Sequence, residues 1–396
     1  MHLIQLFFRG CLSIVKKILK QNHSKKRILV VVHEFAIGGA QIVAIRLANA
    51  LSEFYSVYVY CVNTNKNPQE IIKTINPCIK IFKSKGCAEE LRSYIIRFKI
   101  DLVSSHIWFS DKLTYKALDG LSHIKWIITL HGCYPLFYLH PDMDREFSML
   151  VGKVLDATDR IIYLTQHNID IFDTMNIRID RDKFLKIYNG YKPVEIPARK
   201  REELAIKGDD FIFGIVSRPM KEKGWEETIQ ATIILNHTSG KNIHLILVGD
   251  SDYAQLLKNR YSMYSYIHFV GSSLYPGEWI QLFHVGLLPS YSESLPNSIV
   301  EYLAYGIPVI ATDTGETKNM LIHKKDCAGM IFPLTSQGEV NVDTLAEKML
   351  LIVQDSMLLD SYRKNTKILF AQFDMDMCVN NYREVMENIL YVKNTL

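Results

Sequence analysis

Several features are missing from this 396-residue chain, and each omission removes a class of protein. No Cys-x-x-Cys pair occurs. The seven cysteines (Cys11, Cys61, Cys78, Cys87, Cys133, Cys327 and Cys378) are scattered without zinc spacing, and their odd number argues against a disulfide-built secreted domain. They read as free thiols in a reducing compartment, mostly small buried hydrophobes. No dense basic stripe with interleaved aromatics appears, and the formal charge of +4 is small for the length, so nucleic acid is not the main partner. No apolar run reaches the roughly 20 residues that a spanning helix needs. There is no low-complexity tract, no short-period repeat and no G-x-G-x-x-G, which weighs against a dinucleotide-dependent dehydrogenase. No Asp-x-Asp-like pair flanks a strand end, so the expected metal content of the site is none.

What is present is the composition of a folded protein, 48% apolar and 22% charged, with length for two domains of roughly 150–200 residues each. Residues 1–26 stand apart. Ile4, Phe7, Phe8, Cys11, Val15 and Ile18 recur at helical spacing, with Arg9, Ser13, Lys16, Lys17 and Lys20 opposite. Lys25, Lys26 and Arg27 extend the positive run. A secretory signal places its charge before the apolar stretch, and here nearly all of it follows. The pattern predicts an amphipathic helix lying on an anionic membrane surface, or else a helix packed on the first domain. The first reading implies a cytoplasmic protein, peripheral on the inner face of the cell membrane.

From residue 27 onward, short apolar runs alternate with helical periods. Strands are expected at 27–33, 55–61, 79–82, 102–106, 126–131 and 160–165, with helices such as 41–51 and 87–98 between them. A charged stretch with two prolines, 192–200, reads as a linker. The alternation then restarts, with strands at 211–217, 244–249, 268–270, 285–289 and 308–312 and helices at 226–235 and 297–305. Such alternation implies parallel strands buried on both faces. The fold class is therefore α/β, with two Rossmann-like doubly wound domains facing a cleft, at 27–195 and 200–373. A helical segment at 374–396 is free to pack on either. Open α/β sheets place ligands at their carboxyl edges, so the cleft is the expected site.

The densest chemistry lies in 289–312, PSYSESLPNSIVEYLAYGIPVIAT. A strand ends, a polar turn follows, and a helix begins near Pro296. Proline suits a first turn, and the free amides of Asn297 and Ser298 make that helix start a natural phosphate site. Glu301, one turn further along, is placed to accept from a ribose diol; in isolation it would equally be a solvated carboxylate. In 217–224, SRPMKEKG, Arg218 and Lys223 lie five apart across a turn at a strand end and suit a diphosphate.

These segments resemble the donor-binding signature of the family 4 glycosyltransferases of the GT-B fold. The order VSRPMKEKGWEETIQA, LILVGD, IHFVGS, LLPSYSESLPNSIVEYLAYGIPVIATDTG is similar to that family's C-terminal domain over about 110 residues. The resemblance implies that Arg218 and Lys223 hold a donor diphosphate and Glu301 the ribose, with Glu293 facing the transferred sugar. Leu295, Asn297 and Ser298 join the donor-binding set, and Ser273, in the turn after Gly271, borders the nucleobase. In the first domain, AIGGAQ resembles the family's glycine loop, where Gly38 and Gly39 admit phosphates and acceptor. His131, after WIITLH, stands where the family often has a histidine near the donor sugar. Asn189–Gly190 resembles the turn into the interdomain linker. Where the family commonly reads Glu-Ala-Met-Ala after the second glutamate, this chain has Tyr302, Leu303 and Ala304, positions expected to face helix packing.

The resemblance implies a hexosyltransferase-type retaining enzyme with no cofactor, using a UDP- or GDP-linked sugar. The acceptor would be a saccharide, lipid-linked if the N-terminal helix binds membrane, in assembly of O-antigen, capsule or exopolysaccharide. No carboxylate is an evident covalent nucleophile, so same-face displacement is the implied route, with the leaving diphosphate stabilised by Arg218, Lys223 and helix-start amides. Rival readings are a nucleotide-sugar epimerase or phosphorylase on the same fold, or a non-catalytic nucleotide-sugar-binding scaffold at a membrane.

Overall fold

Both expected sheets form, each wholly parallel. The computed structural model describes residues 25–35, 39–63, 69–84, 86–132 and 147–391. The predicted amphipathic helix up to residue 24, Gly38, Cys11 and Cys133 lie outside these residues.

The first sheet holds β1 (Arg27–Glu34), β2 (Ser56–Asn63), β3 (Lys80–Lys83), β4 (Leu102–His106), β5 (Lys125–Leu130), β6 (Arg160–Tyr163) and β7 (Phe184–Lys186). Its order is β3-β2-β1-β4-β5-β6-β7. Ile28, Leu29, Val30 and Val31 are fully buried, as an uninterrupted apolar run covered on both faces requires. The second sheet holds β8 (Phe211–Val216), β9 (Ile243–Val248), β10 (Ile267–Gly271), β11 (Val285–Leu288), β12 (Val309–Thr312) and β15 (Gly329–Phe332). Its order is β10-β9-β8-β11-β12-β15, and β13 (Ile322–His323) and β14 (Asp326–Cys327) form a separate small hairpin. In each sheet the strand order reverses beside the first strand, between β1 and β4 and between β8 and β11. The loops leaving β1, β8 and β11 therefore stand at switch points, where open α/β sheets hold ligands.

Four helices position the site: α1 (Gly39–Leu51), α2 (Trp225–Thr238), α3 (Asn297–Ala304) and α4 (Met375–Tyr391). On α1, the buried stripe Val43, Ala44, Leu47, Ala48 and Leu51 faces the first core. α3 ends because Gly306 takes φ +76°. The Gly306 and Ile307 amides donate to the Leu303 and Tyr302 carbonyls, a left-handed glycine stop that turns the chain into β12. α4 returns to the first domain: Met375, Val379, Tyr382 and Met386 join the core formed by Val30, Leu47 and Leu51. The Tyr382 hydroxyl lies 3.0 Å from Thr129 Oγ1.

Lys25, Lys26 and Arg27, which extend the positive run in the sequence, each have a partner in the first domain. Lys25 Nζ donates to the Glu53 carbonyl, Lys26 Nζ pairs with Asp101 at 2.7 Å, and Arg27 donates to the Phe98 carbonyl. β1 begins there, and the cations nearest its start are taken up by the first domain's own acceptors.

Candidate active site

The site is built from the carboxyl-edge loops of both sheets. After β8 the chain forms a short turn of helix at Lys221–Lys223, then Gly224 and α2. Lys223 Nζ reaches across to Glu293 Oε1, after β11, at 2.7 Å. Arg218 is exposed, with no ion-pair partner among the described residues. One cation of the pair is thus anchored on the carboxylate expected beside the sugar, and the other is free for an anion.

Leu295 and Ser298 are buried, and Asn297 opens α3 behind Pro296. Asn297 also meets the first domain. Its Oδ1 accepts from Asn189 Nδ2 at 3.2 Å, and a Cβ placed on Gly39 would stand 2.9 Å from its Nδ2. Gly39 is the first residue of α1, so the starts of α1 and α3 face each other across the domain gap. A helix start carries amides without intrahelical partners and the positive end of the dipole, so the meeting point of two such starts suits an anion.

One turn into α3, Glu301 is buried, and its Oε1 accepts from the Arg46 guanidinium at 3.0 Å. Arg46 belongs to α1 and stacks over the Tyr191 ring at 4.7 Å. Sequence reasoning missed Arg46: it sits 255 positions from its partner, and an arginine on an amphipathic helix carries no local signal. Tyr302 and Leu303 are buried, as expected of packing residues, and the Tyr302 hydroxyl accepts from the Val216 amide at 2.7 Å. That bond ties α3 to the end of β8.

His131 follows β5, and its Nε2 lies 2.9 Å from Nδ1 of His106, the last residue of β4. His106 Nε2 in turn lies 3.3 Å from Ser104 Oγ. His131 Nδ1 is buried without a partner among the described residues. Burial pulls the His131 ring down to about 4, and His106 falls well below its ordinary value for the same reason, with His131 adding to it. Both are neutral near pH 7. Ser273 is occupied locally: its hydroxyl donates to Glu278 and accepts from the Tyr275 amide. The residues after it, 274–277, instead line a cavity of about 370 Å³ between the domains, with Ile42, Arg46 and Tyr191 on one side and Tyr305 on the other.

Two family models match the chain. The one described as Glycosyltransferase Family 4 covers residues 37–194, and the one described as Glycosyl transferases group 1 covers 198–368. An uncharacterized glycosyltransferase of Methanocaldococcus jannaschii is 23% identical over 295 residues, 73% of this chain and 76% of that protein. A Vi polysaccharide biosynthesis protein of Salmonella typhi is 29% identical over 181 residues, 42% of this chain and 30% of that protein. Among solved structures, Anabaena HepE in complex with UDP and glucose superposes with a TM-score of 0.73 at 17% identity, covering 92% of this chain and 100% of that one.

Proposed function

The chain belongs to the family 4 glycosyltransferases of the GT-B fold, and on that premise we propose that it is a retaining enzyme moving a sugar from a nucleoside-diphosphate donor to a saccharide acceptor. The observation that carries this reading is the meeting of the α1 and α3 starts beside the Lys223–Glu293 pair. A diphosphate there would take the amides of both helices and the exposed Arg218. As the bond from the anomeric carbon to the leaving oxygen breaks, negative charge grows on that diphosphate. Preorganised donors stabilise it without reorganisation at the moment of reaction.

Lys223 serves twice in this scheme. It orients Glu293 toward the sugar and adds a positive charge to the leaving group's surroundings. No covalent nucleophile is assigned, so the acceptor hydroxyl attacks from the face the diphosphate leaves, and the departing phosphate oxygen takes its proton. The similarity to HepE, whose structure holds UDP and glucose, supports a uridine-linked donor. The Vi polysaccharide relative fits a role in cell-surface glycan assembly. A lipid-linked acceptor would fit the basic, apolar-sided segment before β1.

Turnover of a panel of UDP- and GDP-sugars against lipid-linked and free saccharides tests the reading. Product of unchanged anomeric configuration is expected, with activity retained in excess EDTA. Arg218→Ala and Lys223→Ala should each lower turnover at saturating donor by about tenfold or more, the cost of a lost charged hydrogen bond. Inverted product would refute the retaining assignment. Isomerised donor without transfer would make the protein an epimerase, and nucleotide binding without any turnover would make it a scaffold.

A further inference from the structure

We propose that Arg46, a residue of the first domain, is a positioning residue for the donor nucleotide held by the second. It fixes the Glu301 carboxylate so that the free oxygen meets the ribose diol, and donor binding thereby requires the two domains in contact. This rests on the reading of Glu301 as the ribose carboxylate.

Arg46 uses one oxygen of that carboxylate, Oε1, at 3.0 Å. No described residue hydrogen-bonds Oε2. A carboxylate has acceptor capacity for both partners at once, so guanidinium and diol need not compete. The Glu301 side chain is 9% exposed and that of Arg46 26%, and a carboxylate so buried is strongly disfavoured without a charged partner. The partner is itself held. Its guanidinium carbon stands 4.7 Å from the Tyr191 ring centre, and Tyr191 is clamped where the chain crosses between domains. The Tyr191 amide donates to the Phe373 carbonyl at 2.8 Å, and the Met375 amide donates to the Tyr191 carbonyl at 3.2 Å.

The cavity gives the ligand its direction. α3 rises about 1.5 Å per residue, so Glu301 lies roughly 6 Å and Tyr305 roughly 12 Å along the axis from Asn297. A nucleoside diphosphate laid along α3 would place its phosphates at the helix start and its ribose at Glu301. Its base would then enter the space walled by Arg46, Tyr191, Tyr275 and Tyr305. Arg46 stands at the join between sugar and base, the position from which one side chain orients the nucleoside from across the gap.

Calorimetric titration of UDP, GDP and their 2′-deoxy forms into wild type, Arg46→Ala, Arg46→Lys, Glu301→Ala and the Arg46→Ala/Glu301→Ala double variant tests this. Melting curves show that each variant is folded, and Arg46→Lys, which keeps the charge, serves if the alanine variant does not fold. Arg46→Ala should weaken the bound ribonucleotide by about tenfold or more. That loss should shrink toward nothing for the 2′-deoxynucleotide and in the Glu301→Ala background, with Arg46→Lys intermediate. Tighter or unchanged binding by Arg46→Ala would overturn the proposal, because the ion pair would then be a latch that the ribose has to displace. An equal loss with and without Glu301 would overturn it too. If wild type binds neither nucleotide while folded, the donor reading itself fails.

Discussion

His106 Nδ1 and His131 Nε2 lie 2.9 Å apart, and whichever nitrogen accepts that hydrogen bond cannot be protonated without breaking it. Burial holds His131 at about 4 and pulls His106 well below its ordinary value, with His131 adding to it, while an unfolded chain titrates near 6.5. The folded values are depressed, so between pH 6.5 and 4 the unfolded state binds protons that the native state refuses. Stability is then fully present above 6.5 and falls as pH drops through that window. His268 and His284, also lowered to about 4 chiefly by burial, add to the same slope. Each such histidine contributes at most about 1.4 kcal/mol per pH unit. Denaturant midpoints should decline steadily from pH 6.5 to 4.5, and His131→Asn should make the decline shallower. An unaltered slope would mean that His131 is not held neutral. The same depression predicts no His131 break in kcat between pH 5.5 and 8. His131 was legible in the sequence as a histidine ending an apolar strand. Its partner was not, since register alone brings His106 beside it.

At the scale of elements, the sequence supplied most of what the sheets needed and little of how they meet. β1, β8 and β11 are near-continuous apolar runs read directly, and β4 (LVSSH) and β5 (KWIITL) are read from their apolar residues and turn-rich flanks. β7 (FLK) and β15 (GMIF) were missed: they are three and four residues long, lie at sheet edges and show no full period. The approach of α1 to α3 was equally hidden, because a glycine before a helix says nothing about which residue it must clear. It has a testable consequence. Gly39 is not in the left-handed region, so alanine there meets no backbone strain and raises helix propensity by roughly 1 kcal/mol at most. Its Cβ would press on Asn297 Nδ2 at 2.9 Å and drive that side chain from its bond to Asn189. Gly39→Ala should melt at or slightly above the wild-type temperature, while donor KM rises severalfold and Gly39→Val raises it further. A normal KM in both variants would show that the helix starts need not approach to bind donor.

The whole molecule is held by contacts that cross the domain gap, both polar pairs and α4 packed into the first core. Besides Arg46–Glu301, Lys186 Nζ lies 3.3 Å from Glu316 Oε1, the Tyr188 hydroxyl donates to Glu316 Oε2, and α4 carries the end of the second domain back to the first. Ahead of the first described residue, the basic residues of the N-terminal segment are Arg9, Lys16, Lys17 and Lys20. At about 1 kcal/mol each near an anionic leaflet they supply roughly 4 kcal/mol, to which partial burial of Ile4, Phe7, Phe8, Val15 and Ile18 adds. That sum gives reversible attachment, weakened by salt as the Debye length shortens. No described helix is long and apolar enough to cross a bilayer. A chain beginning at Lys26 keeps the Asp101 ion pair and should fold, melt and bind nucleotide as the full chain does. It should lose co-sedimentation with vesicles rich in phosphatidylserine, which the full chain should show at 50 mM salt and largely lose at about 0.5 M. If instead the full chain ignores anionic vesicles and the shortened one melts earlier, residues 1–25 pack on the first domain, and a lipid-linked acceptor loses its support.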